Sequence, residues 1–147
     1  MNGTMNETRT GTRSIVVERE IPHPPEKIWR ALTQPHLIGE WLMKNDFKAV
    51  VGHRFDLRAD WGAVDCQVLA VEPNKTLSYT WNATRDGAAD ALKSVVTWTL
   101  TPTGTGTHLR MVQSGFRDDQ PPYYYQGAKS GWPRLFAALE QVLARMD

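Results

Sequence analysis

From Trp132 to the end of the chain, the apolar residues Trp132, Leu135, Phe136, Leu139, Val142, Leu143 and Met146 recur at offsets of three, four and seven. That spacing is one continuous stripe on a 3.6-residue helix. Arg134, Ala138, Gln141 and Arg145 fall on the opposite face. The pattern predicts an amphipathic helix over Tyr123–Met146 which, at about 1.5 Å per residue, is roughly 35 Å long, enough to cross a small sheet. Pro133 lies inside it, removes a backbone donor and crowds the carbonyl four residues back. A kink or a fresh helix start is therefore expected at Gly131–Pro133.

Earlier in the chain the period changes to two. In Ser14–Ile21, Ile15, Val17, Arg19 and Ile21 alternate with Val16, Glu18 and Glu20, as a strand requires. Pro22, Pro24 and Pro25 end it, and Pro25 suits the first turn of a short helix Glu26–Leu32 that buries Ile28, Trp29 and Leu32. Thr33 before Pro35 reads as a new N-cap, with a second short helix over His36–Trp41. Strands follow at hairpin spacing: Phe47–Val51, His53–Ala59, Ala63–Val71 and Thr76–Asn82, with turns at Gly52, Asp60-Trp61-Gly62 and Glu72–Lys75. Leu77, Tyr79 and Trp81 share one face. Ala83–Lys93 reads as an irregular hairpin loop. Val96, Trp98 and Leu100 then alternate with Val95, Thr97 and Thr99. A turn over Pro102–Gly106 leads into Thr107–Phe116, with Leu109, Met111 and Gln113 on the buried side, and Arg117–Pro122 is a polar turn into the long helix.

The order predicts an α+β domain over residues 14–147: a curved antiparallel sheet of about six to seven strands, two short helices after the first strand, and the long helix in the concave side, where both apolar faces are satisfied. Residues 1–13 hold almost nothing that could be buried and are expected to be a disordered leader.

With 147 residues, 41% of them hydrophobic and 22% charged, the chain has the size and makeup of one ordinary globular domain. A formal net charge of +1 gives no field to attract nucleic acid or an anionic membrane. The single cysteine, Cys66, cannot form an intramolecular disulfide. His23, His36, His53 and His108 are scattered without metal-site spacing, so no metal and no cofactor is expected. The first residues lack the apolar core of a signal peptide, and no apolar run of ~18 residues could span a bilayer. Cytoplasmic residence is the expectation.

The run from Ile15 through Thr33, followed by Glu40-Trp41-Leu42, resembles the opening of the activator of heat-shock-protein-90 ATPase-like family, within the START/SRPBCC superfamily of helix-grip folds. Val96-Thr-Trp-Thr-Leu-Thr-Pro, Gly104-Thr-Gly-Thr-His-Leu-Arg-Met, Ser114-Gly-Phe and Gly131-Trp132 are similar to its later signature. The likeness extends over about residues 14–146. It implies a cavity between long helix and sheet that often holds an apolar small molecule. The superfamily includes lipid and hormone carriers, polyketide aromatases and cyclases, and chaperone-associated domains linked to stress response, so fold alone does not choose among them.

By face, Phe55, Trp81, Trp98, Met111, Phe116, Trp132 and Phe136 should point between sheet and helix, with Trp41 at the mouth. Ligand sites are mostly apolar with a few placed polar groups, here Tyr79 and Gln113. Core packing competes as an explanation, since aromatic residues dominate ordinary cores as well. Arg19 falls on the buried side by parity and needs a carboxylate or a ligand anion. Cys66 on a strand reads as a small buried hydrophobe. Asp60 and Asp65 could stand at the rim for acid–base work, although no nucleophile with a base is visible. Of Tyr123, Tyr124 and Tyr125, at least one must be exposed or at the entrance, since three adjacent helical positions span some 200°. The leading expectation is a domain that binds a lipid, polyketide or aromatic ligand without catalysis. The alternatives are a chaperone-interacting module, with a chaperone or a second copy as partner, and a cyclase/aromatase-like enzyme. The full co-chaperones of that family carry a further N-terminal domain not found in this sequence.

Overall fold

The computed structural model describes residues 12–60, 62–83 and 92–147. The expected leader up to residue 11, Trp61 of the predicted turn and most of the predicted Ala83–Lys93 loop lie outside the described residues. In chain order the elements are β1 (Thr12–Ile21), α1 (Pro25–Thr33), α2 (Pro35–Trp41), β2 (Lys44–Asn45), β3 (Arg54–Ala59), β4 (Gly62–Glu72), β5 (Thr76–Ala83), β6 (Leu92–Thr103), β7 (Gly106–Arg117) and α3 (Pro122–Arg145). The seven strands form one sheet in the order β1-β7-β6-β5-β4-β3-β2, every pair antiparallel. Thr12 and Arg13, assigned to the leader by sequence, already pair with Arg117 and Phe116.

Two bulges bend the sheet, one opposite the Arg13/Ser14 step and one between Val68 and Ala70. The first changes which residues face inward. Leu109, Met111 and Gln113 are buried by odd-numbered parity, yet Phe116 is 1% exposed. The extra residue is Gly115, at φ +112°, a conformation that L side chains rarely adopt. Without it Phe116 would face solvent.

The predicted strand Phe47–Val51 does not form, and β2 ends at Asn45. The side chains of Asn45 and Asp46 explain this by competing for backbone donors. Asn45 Oδ1 accepts from Phe47 N at 3.1 Å, and Asp46 Oδ1 accepts from Asp56 N at 3.0 Å. Val50 and Val51 are left exposed. Thr33 is not a cap for α2; it belongs to α1, where its hydroxyl donates to the Trp29 carbonyl at 2.7 Å, and Gln34 takes the N-cap position. α1 buries Ile28, Ala31 and Leu32, while Trp29 is only half-buried. The fresh helix start at Gly131–Pro133 is absent, because α3 is one helix across Pro133. The Lys129 carbonyl that Pro133 cannot serve belongs to an exposed residue. Within α3, Trp132, Phe136, Leu139, Val142 and Leu143 are buried, and Arg134, Gln141 and Arg145 are exposed. No helix among the described residues is long and apolar enough to cross a membrane.

On the convex face of β1 and β7, His108 stands opposite Glu20, with Glu18 one register step away. Its Nδ1 meets Glu20 Oε2, and its Nε2 meets Glu18 Oε1 at 2.8 Å. Two carboxylates as partners require both ring nitrogens to donate, which makes the ring an imidazolium. Its pKa is accordingly raised from the usual 6.5, first by the Glu20 hydrogen bond and then by the Glu18 one. A group that holds its proton more tightly folded than unfolded contributes fully below its unfolded pKa, and loses that contribution as pH rises through the folded one. The melting temperature should therefore fall as pH rises above about 6.5, and His108→Gln should remove that part of the slope. An unchanged slope in the variant would show that His108 does not carry it.

Candidate functional site between the sheet and the terminal helix

α3 lies closest to β1, α1 and α2. Across the middle of the sheet, large side chains bridge the gap between strands and helix. Ile15, Gln113, Val96, Tyr79 and Val68 stand opposite one another in one row over β1, β7, β6, β5 and β4. Tyr79 and Gln113 are two strand spacings apart, about 9.5 Å, with the smaller Val96 between them.

From Gln113 in this row runs a directional chain of hydrogen bonds to α3 on one side and to Ser94 and Trp81 on the other. Trp132 Nε1 donates to Gln113 Oε1 at 2.7 Å, Gln113 Nε2 donates to Ser94 Oγ at 2.9 Å, and Ser94 Oγ donates to the Trp81 carbonyl at 2.7 Å. An indole N–H only donates, so it fixes the amide orientation and with it every later link. The chain ties α3 to β7, β6 and β5. Next to it, Trp98 Nε1 donates to the Tyr79 hydroxyl at 3.0 Å. Burial pushes the Tyr79 phenol upward in pKa, so it stays protonated.

Around these bonds the rings meet one another. Trp98 contacts Trp41 and Trp132 edge-on, both at 5.7 Å between centroids, and Phe136 at 5.5 Å. Trp41 is further locked by its Nε1 bond to the Ala31 carbonyl at 2.9 Å. Phe55 packs on Tyr79 at 5.5 Å and on Phe47 at 5.0 Å. Met111 is fully buried opposite Trp98, and Phe116 packs on Tyr125 at 5.5 Å, toward the start of α3. Of the ten residues nominated from sequence, Trp41, Phe55, Tyr79, Trp98, Met111, Gln113, Phe116, Trp132 and Phe136 are buried, and Trp81 is half-buried.

Trp81 marks the side where the packing opens. It contacts Trp132 at 5.4 Å, and Ala83 on the same strand and Tyr124, Ala128 and Leu135 on α3 are likewise only half-buried against the core. At about 100° per residue, Tyr125 lies nearly in line with Trp132 and Phe136. It meets Phe116 and the Arg13 guanidinium, the latter at 3.8 Å, on the β1 side. Tyr124, Ala128 and Leu135 share another flank of the helix, about 60–100° from Tyr125, and the Tyr124 ring lies 4.7 Å from that of Tyr123. Tyr123 is 41% exposed.

Arg19 is not buried. Its side chain comes from the edge strand, donates to the Glu18 carbonyl at 2.9 Å, and lies 5.6 Å over the Phe136 ring while reaching solvent. Parity gave its face, and the edge position lets the stem cover an apolar ring while the charge stays wet. Asp65 points outward between the buried Val64 and Cys66, and Asp60 is exposed, so neither faces the interior. Among the described residues, the buried polar side chains are Ser78, Ser94, Thr107 and Gln113, with the Tyr79 phenol. Ser94 escaped the sequence-based selection, although it shares the parity of Val96, Trp98 and Leu100. No group of His, Cys, Asp or Glu among the described residues could hold a metal ion.

Cys66 is 1% exposed, and burial, helped by the charges of Asp65 and Asp56, pushes its thiol upward in pKa. A disulfide reagent at pH 8 should leave native Cys66 unmodified for as long as a urea-unfolded control takes to react completely. Labelling of the native chain at the unfolded rate would contradict that burial.

Comparison with known proteins places this geometry among relatives. Protein MLL2253 of Mesorhizobium loti is 70% identical, with a TM-score of 0.86 over 92% of this chain and 99% of that one. The Aha1 dimer of Colwellia psychrerythraea has a TM-score of 0.77 at 21% identity, covering 89% of this chain and 96% of that one. DynU16, from the dynemicin biosynthetic locus, has a TM-score of 0.75 at 23% identity over 90% of this chain; the match spans 47% of that longer chain. At those identities the last two show the shared fold. No curated protein matches. The family model described as activator of Hsp90 ATPase homolog 1-like protein matches residues 22–144, and the chain belongs to that family.

Proposed function

We propose that this domain binds a small apolar ligand of aromatic or acyl type, held against Trp81 and Trp132 on the flank of α3 that carries Tyr124, Ala128 and Leu135, and that it does so in the cytoplasm without catalysis. One observation supports this reading: Tyr124, Ala128 and Leu135, on one flank of α3, stay half-buried, as does Trp81, which packs on Trp132 of the same helix. Affinity would come from burying apolar area at ~25 cal/mol per Å². DynU16, with the same fold, comes from a biosynthetic locus. A cyclase would need an acid or base facing the ligand, and Asp60 and Asp65 face elsewhere.

The test is a titration with 2-acetylnaphthalene followed by tryptophan fluorescence. Saturable quenching is expected, weakened at least about tenfold by Trp81→Ala, the equivalent of about 1.4 kcal/mol. No saturable change, or an unaltered affinity in the variant, would remove the proposal.

A protein-binding role is the second reading, favoured by the family's description and by the dimer formed by the Colwellia relative. Retention of a chaperone or of a second copy of the chain on a column, lost with Tyr123→Ala, would favour it.

A further inference from the structure

We infer that the ligand of the proposed site carries a hydrogen-bond acceptor, a carbonyl oxygen above all, and that the Tyr124 hydroxyl binds it. This inference rests on the binding proposal and narrows it to a chemical class. Tyr124 Oη is buried and has no hydrogen-bond partner, the single buried side-chain polar atom among the described residues in that condition. Its ring packs against the core from the flank of α3 that also carries Ala128 and Leu135, with the Tyr123 ring 4.7 Å away. An orphaned buried hydroxyl is destabilising, and native chains rarely keep one without a use.

The same bias recurs on the sheet side. Tyr79 Oη accepts the Trp98 N–H, and no hydrogen bond uses the Tyr79 hydroxyl proton. Gln113 donates one of its two amide hydrogens to Ser94, and the other has no recorded acceptor. The polar groups around the packed rings therefore hold more donors than acceptors. A hydrocarbon leaves the Tyr124 hydroxyl unmet, and a ligand that offers only donors does not answer it. A ketone, quinone or ester oxygen answers it by accepting from the phenol O–H.

The experiment compares 2-acetylnaphthalene with 2-isopropylnaphthalene, which have nearly the same shape and differ in the carbonyl oxygen. The native chain should bind the ketone about tenfold tighter, as one hydrogen bond supplies. Tyr124→Phe should bring the two probes to about equal affinity while leaving the hydrocarbon's unchanged. The carbonyl stretch of the bound ketone, at lower frequency in the native chain, should return toward its apolar-solvent value in that variant. Since the substitution removes only an unsatisfied hydroxyl, the variant should melt no lower than the native chain. Equal affinity of the native chain for the two probes would overturn this inference and leave the binding proposal standing, as would a ketone preference that survives Tyr124→Phe. Failure of both probes to bind would overturn the binding proposal itself.

Discussion

Trp132→Ala is expected to lower the unfolding free energy by about 3–5 kcal/mol, the range for deleting a large buried aromatic side chain. The indole is 2% exposed, packs on Trp81 and Trp98, and holds the amide of Gln113 through its N–H. Alanine would open a void between α3 and the sheet and leave Gln113 Oε1 without its donor. Against a typical total stability of about 5–15 kcal/mol, the loss is a large share. Trp132→Phe separates the two contributions, since it keeps most of the ring and removes the N–H; a loss of about 1–3 kcal/mol is expected from the orphaned amide oxygen. Urea denaturation measures both. A change below about 1 kcal/mol in the alanine variant would place this indole outside the core, contrary to its burial.

The second large effect is expected at the β7 bulge. Gly115 has φ +112°, and a Cβ built there would stand 2.7 Å from the Lys93 carbonyl oxygen and 3.2 Å from Ser94 Cα, both backbone atoms that cannot rotate away. Gly115→Ala combines a strained conformation, about 1–3 kcal/mol, with a steric clash of about 1–3 kcal/mol, so a loss of roughly 2–6 kcal/mol is expected. If β7 escapes by straightening, Phe116 turns outward and leaves Tyr125 and the Arg13 side of α3 unsupported. Thermal melting and the near-ultraviolet dichroism of the aromatic set should both register this. A variant that melts within a degree or two of the native chain would mean that the bulge tolerates a side chain.

These two residues also mark what periodicity conveys and what it omits. The stripe from Trp132 to Met146 and the alternation in Ile15–Ile21, Leu77–Trp81 and Val96–Leu100 specify which faces are buried, because burial acts on faces. Alternation says nothing about a residue that interrupts it. Phe116 reaches the interior through the extra residue at Gly115, and Phe47–Val51 fails as a strand because two short polar side chains claim the backbone donors. Arg19 shows a related gap: parity assigned its side, while its place on the edge strand decided its exposure. The candidate site was legible as a set of aromatic residues. Which rings lock together around Trp98 and which stay half-open around Trp81 depends on side-chain reach across three strands and a helix, and no pairwise spacing encodes that. The Tyr124 hydroxyl is the extreme case, since its lack of a partner is a property of everything around it.

The most direct measurement is the set of indole N–H resonances in a two-dimensional nitrogen–proton spectrum as 2-acetylnaphthalene is added. The resonances of Trp81 and Trp132 should shift with the ligand. Those of Trp41 and Trp98, bonded to the Ala31 carbonyl and the Tyr79 hydroxyl, should move far less. Shifts that spare Trp81 and Trp132, or that are as large at Trp41 and Trp98, would contradict a site opening on the Tyr124 flank beside a closed aromatic core.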